Sequence, residues 1–267
     1  MLLAGLVAAC ILVMLAWILL ATAMRGIGAL NWAFFTELPA PPGETGGGLA
    51  NAIVGTLLMT FSAVVIGVPV GLGTGVYLAE FVQGTRWASC LRYLANILIS
   101  SPSIIIGLFV YEILVVPTGG FSGWAGSVAL AILIIPTVAR ATEDMLLLVP
   151  RELSESSLAL GATRARTIVS IVFRSARSGL LSAILLAVAR VSGETAPLLF
   201  TALNNPFWGS LQEPTGNLTV TIFNYAMSPY EDWQQKAWGA SLLITVTILW
   251  VTIISRFFLR DRQPRKT

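Results

Sequence analysis

The 267-residue sequence has no histidine, two cysteines and few charged residues, and each scarcity excludes a class of protein. Without histidine, a serine–histidine triad, a histidine general acid or base and a histidine-ligated zinc are excluded. Cys10 and Cys90 lie in or beside apolar stretches, so neither a disulfide framework nor a cysteine metal cluster is expected. Charged residues make up 11% of the chain, against roughly a quarter in soluble domains. This composition excludes a water-soluble fold.

Long apolar runs take the place of the missing charge. Hydrophobic residues make up 56% of the chain and its mean hydropathy is +0.82. A membrane-spanning helix needs about 20 apolar residues, and the runs lack the two-residue alternation of a β-barrel. The sequence predicts an all-α integral membrane protein with six transmembrane helices: at residues 2–24, between residues 51 and 80, between residues 92 and 116, and at residues 124–150, 178–203 and 237–259. The first run exceeds a signal-peptide core in length, and we expect a retained span.

Basic residues in the loops and at the ends of the predicted spans are distributed unevenly between the two sides of the membrane. With the amino terminus in the cytoplasm, twelve lysines and arginines fall on the cytoplasmic side, including Arg92 in the loop before the third span. Only Arg25 and Lys236 fall on the other side. The positive-inside rule therefore predicts that both termini are cytoplasmic and that the basic tail is a membrane anchor, not a nucleic-acid-binding arm. The predicted divisions are a first helix with an external linker (1–50), a transmembrane core (51–260) and a cytoplasmic tail (261–267).

The ionisable residues inside the predicted spans include Arg140, Glu143, Arg190, Glu194 and Glu112. An ionised side chain at mid-bilayer costs about 2.5–3.5 kcal/mol, so these residues are expected to face away from lipid. Arg140 and Glu143 are three residues apart and Arg190 and Glu194 are four apart, so each pair shares a helix face. Two interpretations stay open: structural ion pairs that join helices, or the border of an anion path, since guanidinium donors match oxyanions.

Glycine and proline mark special backbone in two spans. Gly193 and Pro197 weaken the fifth helix next to Arg190, and irregular backbone at membrane depth is tolerated only in a protein interior or along a cavity. Glycines also recur every four residues in the second span, at Gly67, Gly71 and Gly75. This spacing predicts close helix packing. A phosphate-binding loop is a poor alternative because the strand and helix that such a loop needs are missing.

The polar segment 151–177 carries the most specific motif. The motif consists of Glu155, Ser156, Ser157, Gly161 and Ile171. The motif resembles the EAA loop of permease subunits of ATP-binding-cassette (ABC) importers, although serines replace two alanines and Arg174 replaces a proline. In that family the loop docks on the ATPase subunit, and Gly161 would permit the turn. The alternative is an amphipathic surface helix. The chain has no Gly-x-x-x-x-Gly-Lys-Ser/Thr motif, so any ATP must be bound by partner subunits.

The resemblance extends over roughly residues 48–258. Residues 75–81, 101–107, 136–143 and 193–199, taken in order, resemble the PstA-type permease subunits of bacterial phosphate importers. The resemblance implies the type I ABC importer permease fold, the bacterial inner membrane and a non-catalytic transport role. It also implies a phosphate path along Arg140, Glu143, Arg190 and Glu194.

The implied partners are a PstC-like permease, two PstB-like ATPase subunits and a PstS-like periplasmic phosphate-binding protein. No cofactor is expected in this chain itself. The alternatives are a permease for sulfate, molybdate or phosphonate, or a secondary anion transporter.

Overall fold

A computed structural model describes the backbone of residues 2–260 and the side chains of residues 3–254. The predicted tail, 261–267, and its basic residues lie outside this range. Within it the chain is helical, and the one β-type pairing is an isolated bridge between Pro39 and Gly47. The predicted all-α class is confirmed.

Five helices between residues 2 and 260 are long and apolar enough to cross a membrane. They are α1 (Leu2–Gly26), α3 (Ala50–Val76), α7 (Gly123–Leu147), α10 (Phe173–Val191) and α13 (Glu231–Arg260). A π-helical turn, Tyr77–Phe81, extends α3. Another, Ile168–Val172, joins the short α9 (Arg164–Thr167) to α10. The fifth and sixth predicted spans thus begin earlier than residues 178 and 237, because both helices continue through polar residues beyond their apolar cores.

The sixth candidate span, third along the chain, is broken. It consists of α4 (Arg86–Ser100), α5 (Ser103–Val110), a π-helical turn (Tyr111–Val115) and α6 (Val116–Thr118). The two parts of this span meet at an angle of 102°. Pro102 explains the bend, because it disfavours helical backbone at the preceding residue, and Ser101 is extended with ψ 139°. Six spans are reached when this bent pair counts as one.

Four short helices complete the fold. They are α2 (Trp32–Thr36), α8 (Arg151–Ala159), α11 (Ala196–Thr201) and α12 (Leu218–Ala226). The predicted external linker after the first helix contains α2, which begins where the Asn31 side chain accepts a hydrogen bond from the Phe34 amide at 2.8 Å. The predicted weak point in the fifth span is confirmed: α10 ends at Val191, and Pro197 lies in the first turn of α11.

Close contact between α3 and α7 forms the centre of the bundle. A Cβ atom placed on Gly67, Gly71 or Gly75 would lie 3.0, 2.8 or 2.5 Å from the Cβ of Ile134, Val138 or Thr142, respectively. The glycines therefore allow the two backbones to approach, as the four-residue spacing predicts. The adjoining core joins α3, α7, α10, α11 and α12 through a buried cluster: Met59, Leu130, Ile134, Val138, Ala187, Val191, Leu198 and Val220.

Candidate anion path and docking segment

A buried carboxylate on α7 is held by two arginines. Glu143 is 1% exposed. Its Oε2 accepts a hydrogen bond from Arg140 Nη1 at 2.8 Å, and its Oε1 accepts one from Arg92 Nε at 2.7 Å. The pairing of Arg140 with Glu143 agrees with the three-residue spacing in the sequence. We call Arg92, Arg140 and Glu143 the α7 ion cluster.

The place of Arg92 corrects the sequence interpretation, which assigned it to a loop. Arg92 lies within α4, where Ala88, Arg92 and Ala95 recur at helical spacing and so share one face. Ala88 is 0% and Ala95 8% exposed, so the small side chains bring this face of α4 close to its neighbours. The signal in the sequence was the pair of small residues, Ala88 and Ala95, at helical spacing on either side of Arg92, which is typical of a closely packed helix face.

The predicted pair of Arg190 and Glu194 is not formed. Because α10 ends at Val191, the two residues do not share a continuous helix. Arg190 is exposed and Glu194 is half-buried, and the ion pairs among the described side chains do not include either residue. The Glu194 carbonyl instead accepts a hydrogen bond from Thr219 Oγ1 at 2.9 Å, which ties the break to α12.

The two arginines of the sequence prediction lie at different depths in the bundle. The antiparallel helices α7 and α10 are in contact where Gly179 lies against the Met145 side chain. Arg140 lies five residues before Met145 and Arg190 lies eleven residues after Gly179. At 1.5 Å per residue, they are separated by about 9 Å along the bundle axis. Arg140 therefore lies nearer the end of the bundle that carries α8, and Arg190 lies deeper. Glu112 is exposed in the broken span.

The segment with the EAA-like motif forms a helix–turn–helix. Helix α8 contains Glu155, Ser156 and Ser157, and Gly161 takes φ +85° in the turn that leads to α9. A side chain at Gly161 would meet no atom within 4 Å, so it is the backbone conformation that favours glycine there. The Ser157 hydroxyl lies 2.9 Å from that of Thr167, which joins the two arms.

Exposure separates the motif residues into two groups. Glu155, Ser156 and Gly161 are exposed, whereas Ile171 is half-buried in the π-helical turn before α10. The sequence interpretation missed Leu160, which is 90% exposed next to Gly161. Leu153 and Leu158 on α8 are exposed as well. Three exposed leucines in an otherwise polar segment could have indicated a contact surface, because exposed apolar patches are typical of interaction sites.

Two arginines fasten this helix–turn–helix to the end of α3. Arg164 donates to the Glu80 carbonyl, and its guanidinium lies 4.7 Å from the centre of the Phe81 ring. Arg151 Nη2 donates to Gln83 Oε1 at 3.1 Å. Glu155 lines a cavity of about 220 Å³ together with both arginines. These contacts connect the segment to the end of α3, which the glycine contacts in turn join to α7.

Comparison with known proteins identifies the architecture. Residues 67–267 match the family described as binding-protein-dependent transport system inner membrane component. The chain belongs to this family. This permease is 50% identical over 93% of its length to the "Phosphate transport system permease protein PstA" of Yersinia pestis, and it covers 85% of that protein. It is 48% identical, also over 93% of its length, to the protein of that name from Haemophilus influenzae, and it covers 88% of that one.

Solved structures confirm the fold of the permease. A chain of the MetNI methionine ABC transporter, described as inward facing, matches 81% of this chain and 96% of its own with a TM-score of 0.66 at 24% identity. A chain of a bacterial ABC transporter that imports alginate matches 97% and 96%, respectively, with a TM-score of 0.63 at 13% identity. At these identities the likeness shows the type I ABC importer permease fold alone.

Proposed function

We propose that the chain is the transmembrane permease subunit of an ATP-driven phosphate importer and contributes half of the translocation path. The observation that carries this proposal is the 50% identity, over 93% of the chain, to a protein named as a phosphate transport permease. The exposed Arg190 and the α7 ion cluster supply guanidinium groups, and the rigid fork of donors on a guanidinium suits a tetrahedral oxyanion.

The proposed path contains Arg140, Glu143, Arg190 and Glu194. Phosphate would meet Arg190 first and then Arg140, about 9 Å closer to the end that carries α8. Arg190 and Arg140 would each donate hydrogen bonds to phosphate oxygens transiently, in place of their present contacts. Glu143, which is paired with Arg140, limits the positive charge there, and Glu194 would do the same near Arg190 as the ion passes, which favours passage over tight retention.

The proposed motor lies outside this chain. Divalent phosphate that enters an inside-negative cell moves against about 4.6 kcal/mol per 100 mV, twice the cost of a single charge. An ATPase pair that docks on Glu155, Ser156, Ser157, Gly161 and Ile171 would supply this energy, with ATP bound by those partners. Arg164 and Arg151 would transmit its motion to α3. The chain itself would be non-catalytic.

The proposed assembly contains a second, PstC-like permease, two PstB-like ATPases and a PstS-like periplasmic binding protein. The end of the bundle that carries α8 is rich in exposed arginine, so the positive-inside rule places it in the cytoplasm. Both termini are then cytoplasmic, and residues 204–230 face the binding protein.

Two charge substitutions test this function, each beside a matched control. Arg190→Gln should abolish ATP-dependent phosphate uptake at unchanged assembly, whereas Arg177→Gln, an exposed arginine on the same helix, should leave uptake intact. Glu155→Lys should release the ATPase from membranes, whereas Glu152→Lys, on the same short helix, should retain it. Full uptake by the Arg190 variant would remove that residue from the path, and retained ATPase in the Glu155 variant would refute the docking role.

A further inference from the structure

The α7 ion cluster has one more arginine than its carboxylate requires. Arg140 and Glu143 would form a neutral pair by themselves, and a neutral pair has no net attraction for an anion. Arg92 contacts the other oxygen of the same carboxylate, at 2.7 Å, and brings the formal charge of the cluster to +1. The one acidic neighbour in sequence, Asp144, is exposed and is paired with neither arginine.

Both arginines keep donors free. A guanidinium carries five N–H groups, and the described hydrogen bonds use one from the Arg92 side chain and one from the Arg140 side chain, both on Glu143. The Arg92 side chain is 28% exposed and that of Arg140 is 30% exposed, while that of Glu143 is 2% exposed. A small anion can therefore reach the guanidinium groups, while their counter-ion lies buried behind them. Since the two contacts end on one carboxylate, the two guanidinium groups are neighbours.

The helix that carries Arg92 also belongs to the broken span that contacts the second arginine region. Gly107 in α5 lies so close to α11 that an added Cβ would be 2.6 Å from the Cα of Pro197. Pro197 directly follows the break that contains Glu194. One bent element, α4 and α5, thus contacts both the α7 ion cluster and the irregular backbone after Arg190, so Arg92 is part of an element that borders both positions.

We propose, on the basis of the proposed phosphate path, that Arg92 is a positioning residue that keeps Arg140 available to the anion. By holding one oxygen of Glu143, Arg92 prevents this carboxylate from neutralising Arg140, so that the cluster retains one net positive charge and free donors. In this role Arg92 acts through the net charge of the α7 ion cluster. A purely structural tie, in which Arg92 only joins α4 to α7, would not depend on that charge.

The two roles can be distinguished because uptake should follow the net charge of the cluster, whereas a purely structural tie would show no such dependence. The experiment uses the complete importer with its own partner subunits in proteoliposomes, with ATP inside and binding protein loaded with labelled phosphate outside. Arg92→Gln should lower uptake at least about tenfold, which corresponds to about 1.4 kcal/mol, at equal recovery of the complex. Arg92→Lys, which keeps the charge, should retain more uptake than Arg92→Gln.

The double variant Arg92→Gln with Glu143→Gln decides between the two roles. It removes the contact between α4 and α7 but restores the net charge of +1, so it should take up phosphate at least about threefold faster than Arg92→Gln alone. If Arg92 is only a tie, the double variant will be as inactive as the single one. Asp144→Asn is the control for a charge change next to the cluster, and its uptake should match that of the parent protein.

The outcomes separate this inference from the function on which it rests. No phosphate uptake by the parent complex would overturn the proposed function and this role with it. Uptake by the parent complex that Arg92→Gln leaves unchanged would overturn the role of Arg92 alone. If neither Arg92→Gln nor the double variant assembles while Arg92→Lys does, Arg92 is a structural tie and its role in charge balance is overturned.

Discussion

Replacement of a single glycine in α3 tests how α3 and α7 pack. A Cβ atom on Gly75 would lie 2.5 Å from the Thr142 Cβ and 2.6 Å from the Ala139 carbonyl oxygen, so the two helices must separate to admit it. Gly73 is two residues away in the same helix, and a Cβ atom there would meet nothing within 4 Å. Gly73→Ala is therefore a matched control for Gly75→Ala, because both add one methyl group.

The expected magnitudes follow from these distances. Overpacking of a tight contact costs about 1–3 kcal/mol, and alanine in an exposed helix position gains up to about 1 kcal/mol over glycine. Gly75→Ala should lower the free energy of unfolding by about 1–3 kcal/mol. The Gly73 variant should be neutral or slightly more stable. With about 2–4 °C per kcal/mol for a chain of this size, the two variants should differ clearly in melting temperature.

The assay is thermal unfolding of the purified complex in detergent, monitored as the loss of monodisperse protein. Phosphate uptake is measured in parallel. Gly75→Ala should also reduce uptake, because in the proposed mechanism α3 and α7 carry motion from the helix–turn–helix at 151–177 to Glu143. Equal melting temperatures for the two alanine variants would refute the inference that the glycines set the helix separation.

Two further predictions concern the ends of the bundle. Arg164→Ala should leave ATPase binding intact but lower the coupling of hydrolysis to uptake, because it removes one of the two arginine contacts between the helix–turn–helix at 151–177 and the end of α3. Arg166→Ala is the control, and equal coupling ratios in the two variants would contradict this role. Burial of the phenol and, as the smaller cause, the nearby carboxylate of Asp232 raise the pKa of Tyr225 to about 12. Since the phenol of the unfolded chain ionises near pH 10, the free energy of unfolding should fall between about pH 10 and 12. Tyr225→Phe should reduce that fall in denaturation measurements whereas the exposed Tyr93→Phe should not, and identical pH profiles would refute the shift.

Regular features of the fold could be predicted from the sequence because each depends on local composition. Apolar length places the spans, the spacing of Gly67, Gly71 and Gly75 predicts the contact with α7, and Gly193 with Pro197 predicts the end of α10. The bend at Pro102 lay in the sequence as well, but an apolar run that continues on both sides of it concealed the break. The starts of α10 and α13 were placed too late because hydropathy does not register a helix that continues beyond its apolar core.

The candidate site was predicted in part, for a physical reason that differs from residue to residue. Arg140 and Glu143 lie on one continuous helix, so their spacing was sufficient to predict their contact. Arg190 and Glu194 have the same kind of spacing, but the helix ends between them and the spacing loses its meaning. Arg92 lies 51 residues from Glu143 in the chain, and helix periodicity does not predict a contact between different helices.

The most direct test of the central claim is phosphate uptake by the reconstituted importer, measured with competing oxyanions. The complete complex in proteoliposomes should take up labelled phosphate only when ATP and the binding protein are both present, and an excess of sulfate or molybdate should not compete. Uptake by this chain alone without an ATPase would contradict the account in favour of a secondary transporter. Uptake of sulfate or molybdate in preference to phosphate would contradict the assigned substrate.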